Sequence, residues 1–134
     1  MSSEIEYPSP EQVDMLYREI IRRTGGESGY LNRSNLDYIL DAVKDVGERL
    51  PRKEALIRKA AFLLYNIIRM HPFLNGNKRT AFELTKIFLE SNGYRLQSGV
   101  QEAFEFVLEI ASGKLSMSDI ESWIQKRLIP IDHN

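Results

Sequence analysis

Cysteine is absent from this chain of 134 residues. Its absence excludes a disulfide scaffold, a thiol nucleophile and every cysteine-based zinc or iron–sulfur site. Histidine occurs only at His71 and His133, too few for most histidine-rich metal sites. An excess of one charge is missing too: 18 Lys and Arg face 19 Asp and Glu, a formal net charge of −1. A general grip on nucleic acid needs a positive excess or a basic face, so nucleic-acid binding is disfavoured. The cations that come nearest to one, Arg49, Arg52, Lys53, Arg58, Lys59, Lys78 and Arg79, are diluted by acids and lack aromatic stacking partners nearby. No apolar run approaches the roughly 20 residues that span a bilayer. The opening MSSEIEYPSP is polar and acidic and does not read as a signal peptide. A cytoplasmic protein without a membrane segment is expected. Glycine and proline are sparse, at 8 and 5 residues, beside 43% hydrophobic and 28% charged residues. That is ordinary globular composition, and the length is that of one domain, residues 1–134.

Helical periodicity dominates what is present. Ser9-Pro10-Glu11-Gln12 offers a capping Ser, a Pro at the first helical position and a Gln at the third. Val13, Leu16, Tyr17, Ile20 and Ile21 then follow on one face until Gly25-Gly26. A second helix starts near Asn32 or Ser34 and carries Leu36, Ile39, Leu40 and Val43. The charged stretch Lys44 to Lys53 reads as an exposed loop or flap. The third helix runs from about Arg52 to Met70, where Pro72 forces His71 out of the helical region. The fourth runs from about Asn77 to Ser91; apolar on more than one face, it is expected to be central and buried. The fifth spans about Gln101 to Ser112, with Val100, Phe104, Val107, Leu108 and Ala111 as its apolar set. Two overlapping capping boxes, Ser116 with Asp119 and Ser118 with Glu121, precede a sixth helix carrying Ile120, Trp123, Ile124 and Leu128. Tyr94 to Ser98 is the best strand candidate, and a weak one. The expected fold class is all-α with six helices.

The chemistry-bearing segment is His71-Pro72-Phe73-Leu74-Asn75-Gly76-Asn77-Lys78-Arg79-Thr80-Ala81. It joins the third and fourth helices and ends at a helix N-terminus, where free N–H groups and the positive end of the dipole favour an anion. Gly76 is expected to let the backbone approach a ligand closely. Lys78 and Arg79 put two positive charges in a first helical turn, where they cost stability. Such placement points to a negative ligand, most simply a phosphate, which Arg can hold through two parallel hydrogen bonds. His71 stands just before this cradle, where an imidazole can act as a general base near neutral pH. Blander readings exist for each residue: His71 as a cap, Asn75-Gly76 as a turn pair, and Arg79 as the partner of Glu83 at i+4. Phe73 anchors the loop in the core under either reading.

The string as a whole resembles the signature of the Fic/Doc family, His-x-Phe-x-(Asp/Glu)-(Ala/Gly)-Asn-(Gly/Lys)-Arg. His71, Phe73, Gly76, Asn77, Lys78 and Arg79 match six of its seven defined positions. Thr24-Gly25-Gly26, Gly29-Tyr30, the run Ala111 to Ser116 and Trp123 look like the flanks of its Doc, or death-on-curing, branch. The resemblance covers about Pro8 to Leu128. It implies a compact Fic/Doc-type helical core with the signature loop between the third and fourth helices. It also implies His71 as the base that deprotonates a hydroxyl of a target protein. Gly76, Asn77 and Lys78 would form an anion nest, Arg79 would clamp phosphates, and ATP with magnesium would be the co-substrate.

Three departures refine what the resemblance implies. Adenylyl-transferring members usually read Gly-Asn-Gly-Arg with a second Arg three residues on; here Lys78 replaces that Gly and Phe82 that Arg. This favours phosphate transfer in the manner of Doc, whose family target is elongation factor Tu, over adenylyl or nucleotidyl transfer. Asn75 stands where Asp or Glu usually holds the magnesium, and a neutral oxygen is a weaker ligand for a hard cation. A degenerate interaction module without catalysis is the bland alternative. The self-inhibitory pattern Ser/Thr-x-x-x-Glu-(Gly/Asn) is not met, because Ala103 follows Glu102. A toxin of this type is therefore expected to have a separate antitoxin chain.

Overall fold

Residues 4–132 are described by the computed structural model, so His133 lies outside them. Helix α1 (Pro10–Thr24) opens on the expected capping box: the Gln12 N–H donates to Ser9 Oγ at 3.1 Å and the Ser9 N–H to Gln12 Oε1 at 2.9 Å. Helix α2 (Arg33–Ala42) follows Asn32, whose side chain accepts from the Asn35 N–H, and tightens into a 3-10 turn at Val43–Asp45. Helices α3 (Arg52–Met70), α4 (Asn77–Ser91), α5 (Val100–Ala111) and α6 (Met117–Lys126) complete the all-α architecture. Of the two overlapping boxes before α6, the Ser116–Asp119 pair forms in both directions and sets the helix start at Met117. No helix among the described residues is long and apolar enough to cross a membrane.

Helix α3 is the axis of the core. Leu56, Ala60, Leu63, Leu64 and Ile67 are fully buried on it, each large aliphatic contributing about 1.5–3 kcal/mol by leaving water. Helix α4 packs along α3 and buries Ala81, Leu84, Phe88 and Leu89, as its two-sided apolar pattern predicts. Ile87 is the departure on this helix, at 42% exposed. Lys59, grouped by the sequence with possible nucleic-acid contacts, is buried instead. Its ammonium donates to the carbonyls of Val43 at 3.1 Å and Lys44 at 3.0 Å, which caps the end of the α2 segment.

Two further expectations need correction. The weak strand candidate is real but shorter, β1 (Tyr94–Leu96), and it pairs antiparallel with an unanticipated strand, β2 (Leu128–Pro130), in the register Leu96 to Leu128. Leu128 therefore belongs to a strand and not to the last helix. Proline is tolerated at the end of β2 because this two-stranded ribbon leaves edge positions that need no N–H donor. The second correction concerns α5. Its core face is Phe106, Val107 and Ile110, whereas Val100, Phe104 and Leu108 are 90%, 57% and 41% exposed. The reason lies in α6: the Trp123 ring stacks on Phe106 at 3.8 Å and 5° between planes, which rotates the rest of the apolar set outward.

Candidate functional site

The loop 71–76 is fixed from three sides before any ligand is considered. On one side the segment 29–32 lies against it as a single antiparallel bridge between Tyr30 and Phe73. Leu31 and Asn32 N–H both donate to the Pro72 carbonyl, at 2.8 and 3.0 Å, and the Leu74 N–H donates to the Gly29 carbonyl at 2.9 Å. Below it, the fully buried Phe73 ring stacks on Tyr17 at 4.0 Å and leans on Tyr30 at 5.2 Å. The third side is Asn77. Its Oδ1 accepts from the Phe73 N–H and its Nδ2 donates to the Phe73 carbonyl, both at 2.9 Å. One amide thus satisfies both main-chain polar groups of a buried residue, which secondary structure would otherwise have to serve.

The support extends one layer further. The Tyr17 hydroxyl donates to the Gly29 carbonyl and accepts from the Gly29 N–H, which pins the segment that pairs with the loop. The Asn35 amide donates to the Met70 carbonyl at 2.8 Å, at the end of α3. Neither Tyr17 nor Asn35 stands out in the sequence, because tyrosine at a core spacing and asparagine in a first helical turn have bland readings. Tyr30 donates to Asp14 Oδ1 at 2.7 Å, and Arg18 Nε holds the same carboxylate at 2.8 Å. Burial, then the bond to Asp14, push the Tyr30 hydroxyl up to about 12. The Tyr30 hydroxyl and then Arg18 hold the Asp14 carboxyl below its usual range.

These shifts give a first prediction. The Asp14 carboxyl, depressed in the fold, contributes stability above its unfolded value near 4 and loses it as the pH falls below. The Tyr30 hydroxyl, raised in the fold, contributes below about pH 10 and loses it as the pH climbs toward 12. The change Tyr30→Phe keeps the ring against Phe73 and removes the pair. It is expected to lower Tm at pH 7 by a few degrees, the effect of about 1 kcal/mol on a chain of this size. That deficit shrinks below pH 4 and above pH 10. A deficit constant from pH 3 to pH 12 would assign the loss to packing alone.

His71 caps α3 with φ 47° and ψ 62°, the one non-glycine residue with positive φ among those described. It has left the helix, as Pro72 requires, but into the left-handed region and not the extended one. The imidazole is exposed, and no described group hydrogen-bonds it. Gly76, at φ 76°, makes the second left-handed turn and delivers the chain into α4. A Cβ there would sit 3.0 Å from Ile21 Cδ1. Glycine is required here by backbone conformation and by α1 behind it, a different reason from the close approach of a ligand.

In the first turn of α4, the N–H groups of Asn77, Lys78 and Arg79 precede the first intrahelical bond, Thr80 N–H to the Gly76 carbonyl at 2.9 Å. Asn77 offers an anion only its main chain, since its side chain is committed to Phe73. Lys78 is exposed and has no ion-pair partner among the described residues. Arg79 Nε lies 3.5 Å from Glu83 Oε2, the i+4 pair that the bland reading anticipated, with both side chains partly in water. Asn75 is tied to the segment before α2: its Nδ2 donates to the Glu27 carbonyl at 2.9 Å, leaving Oδ1 as the free acceptor of its side chain. Among the described residues no cluster of three His, Cys, Asp or Glu side chains could hold a metal ion.

From this cradle a groove of about 510 Å³ runs between α4 and α5. Gly76, Lys78 and Arg79 line one end, Phe82, Val107 and Leu96 the floor, and Phe104 and Leu108 the α5 wall. The sequence contained the signal for it, an apolar stripe at positions 100, 104 and 108, but periodicity alone did not separate that stripe from Val107 and Ala111 in the helix's apolar set.

Comparison with known proteins agrees with the loop and the helical frame. The model of the Fic/DOC family matches residues 7–89. Over 120 residues the chain is 28% identical to the protein named protein kinase doc of Escherichia phage P1, covering 88% of this chain and 92% of that one. Over 78 residues it is 30% identical to the protein named protein adenylyltransferase fic-1 of Caenorhabditis elegans, covering 55% of this chain but 15% of that one. With the signature loop seated between α3 and α4 and the similarity to Doc extending over nearly the full length, this chain belongs to the Fic/DOC family and resembles its Doc branch.

Proposed function

We propose that this protein is a protein-modifying transferase of the Doc type, which moves a phosphate from a nucleoside triphosphate to a hydroxyl of a target protein. The observation that carries this reading is the first turn of α4. Three N–H groups without intrahelical acceptors and an unpaired Lys78 meet beside Arg79, and position 82, one turn on, is apolar. The cradle suits the phosphate that is transferred, while nothing at position 82 would neutralise a terminal phosphate lying further along the helix. His71 takes the proton of the acceptor hydroxyl. The hydroxyl oxygen bonds to the γ-phosphorus, the bond from that phosphorus to the β–γ bridging oxygen breaks, and the nucleoside diphosphate departs. Lys78, Arg79 and the helix N-terminus neutralise charge as it develops. By resemblance to the branch, the target is elongation factor Tu, a separate antitoxin chain restrains the enzyme, and both meet it in the cytoplasm.

ATP with magnesium fits the donor role. Asn75 Oδ1, the one side-chain oxygen of loop 71–76, is free to touch a magnesium ion, which would add neutralisation of phosphate charge. Because that oxygen is uncharged, Asn75→Asp is expected to lower the magnesium concentration for half-maximal activity several-fold. An unchanged magnesium dependence would mean that position 75 does not face the metal. Lys78 is the cleaner probe of the cradle. A cation in a first helical turn costs of order 0.3–1 kcal/mol, so Lys78→Ala is expected to leave Tm unchanged or raise it by a degree or two. The same change should weaken ATP binding about tenfold, read by calorimetric titration. A lower Tm with unaltered binding would give Lys78 a structural role.

The reaction itself is tested with ATP labelled separately at the γ and α phosphates, a cell extract, and mass spectrometry of the modified protein. Transfer of γ label and a phosphate increment are expected. AMP on the target would reassign the chain to adenylyl transfer, the activity named for the fic-1 relative. Transfer of neither label, with several nucleotides, would make it an interaction module.

A further inference from the structure

We propose that Thr80 is a positioning residue of the phosphate cradle: its buried hydroxyl donates to the Gly76 carbonyl when an anion occupies the first turn of α4. The proposal rests on the cradle described above. Thr80 has no solvent exposure. Among the described residues its Oγ1 is the one buried side-chain oxygen or nitrogen without a hydrogen-bond partner. A buried hydroxyl left unmatched costs stability, so its retention calls for a reason. The other two threonines of the chain, Thr24 and Thr85, also lie on helices. Each donates its hydroxyl to the carbonyl four residues back, Ile20 and Ala81 respectively, at 2.8 Å, the ordinary recourse of a helical threonine. Thr80 alone does not.

The carbonyl four residues behind Thr80 belongs to Gly76. It accepts from the Thr80 N–H at 2.9 Å, and a carbonyl oxygen has a second lone pair. Gly76 is left-handed, at φ 76° and ψ 18°, which turns this carbonyl from the direction that a helical residue would give it. The hydroxyl is nonetheless close by. A Cβ at Gly76 would stand 3.8 Å from Thr80 Oγ1, so the hydroxyl lies directly behind the nest, on the side of α1. The link to the anion is a single peptide unit. Its carbonyl is that of Gly76, and its N–H is that of Asn77, one of the three that precede the first intrahelical bond. An anion on this N–H makes the carbonyl a stronger acceptor, and a second donor on the carbonyl makes the N–H a stronger donor. The Thr80 bond is thus favoured by the anion, which is the differential interaction that a ligand-linked change requires.

The experiment is calorimetric titration of the whole chain with inorganic tripolyphosphate and, separately, with ATP, magnesium being present throughout. Wild type is compared with Thr80→Val, Thr80→Ser and Lys78→Ala, at a temperature where thermal denaturation shows every variant folded. Valine keeps the shape and removes the hydroxyl. It is expected to raise Tm by a few degrees, because a buried unmatched group has gone. It is also expected to weaken both ligands by the same factor, roughly 3- to 10-fold, the worth of one ordinary hydrogen bond. Serine keeps the hydroxyl and loses the methyl; it should lower Tm through the small cavity left, yet bind both ligands within about twofold of wild type. Affinity then tracks the hydroxyl while Tm does not, which packing alone would not produce. If Thr80→Val binds both ligands like wild type while Lys78→Ala still weakens them, the assignment of Thr80 falls and the cradle stands. A Tm for Thr80→Val below wild type would show the hydroxyl already satisfied without an anion, and serine binding as weakly as valine would show that the effect is not the hydroxyl's; either overturns the proposal. If Lys78→Ala leaves both ligands unaffected, or wild type binds neither, the cradle fails and takes the assignment of Thr80 with it.

Discussion

Replacing His71 by alanine is expected to abolish transfer to protein, a loss of about 10²–10⁴-fold if the imidazole is the general base, while the fold survives. Survival follows from the surroundings: the ring is exposed and no described group bonds to it, so its removal orphans nothing. The backbone supplies a sharper control. At φ 47° a side chain costs of order 1–3 kcal/mol of strain, whereas glycine at this position costs about 0.4–1 kcal/mol in unfolded-state entropy. His71→Gly is thus expected to melt at or above the wild-type temperature and to be as inactive as the alanine variant. Stability and activity would then move in opposite directions at one residue. Initial rates with γ-labelled ATP and thermal denaturation of both variants decide the matter. Wild-type rates in either would remove His71 from the chemistry, and a less stable glycine variant would show that the imidazole itself holds the loop.

Much of the helical frame was legible because its signals are local. Ser9 with Gln12, Asn32, and Ser116 with Asp119 each mark a helix start through bonds that span three residues. The end of α3 follows from Pro72 alone. What was not legible depends on pairs distant in sequence. Strand β2 exists because Leu128 to Pro130 finds β1 more than thirty residues earlier; nothing within the last segment distinguishes it from another helical turn. Helix α5 shows the same limit from the other side. Two apolar faces were available to it, and the choice fell to the one that Trp123 stacks upon. Periodicity gives the existence of a face and not its partner.

The site divides along the same line. The chemical types at positions 71 and 75–79 can be read directly, because an anion cradle needs a helix start and cations. The frame that holds them cannot. Tyr17 serves Gly29 from 12 positions away, and Asn35 reaches Met70 across 35. Asn77 shows where the line falls: its expected place in an anion nest concerns its main chain, while its side chain, of which the sequence says nothing, faces inward to Phe73. Lys59 departs from its expected place, a cation spent on carbonyls and not on a ligand.

Asn77 carries the largest expected effect on the loop. Among the described residues its amide is the sole hydrogen-bonding partner of both the N–H and the carbonyl of Phe73, a residue with no solvent exposure. Truncation to alanine leaves a buried donor and a buried acceptor unmatched, at about 1–3 kcal/mol each, so Asn77→Ala is expected to lose roughly 2–6 kcal/mol. Asn77→Asp separates the two bonds: a carboxylate still accepts from the Phe73 N–H but puts a negative charge against the Phe73 carbonyl. The dipole of α4 favours that charge by about 0.3–1 kcal/mol, too little to offset the lost bond and the repulsion, so Asp is also destabilising but less so than Ala. The readout particular to this latch is hydrogen exchange at the Phe73 amide. In wild type it should exchange only with global unfolding; in Asn77→Ala it should exchange through local opening, orders of magnitude faster, while the α3 amides keep the protection set by the variant's own global stability. Transfer activity should fall further than the unfolded fraction explains, because His71 and the cradle hang on opposite ends of the segment that has been released. Unchanged Phe73 exchange in Asn77→Ala would show that the aromatic stack and the bridge to Tyr30 hold the loop without the latch.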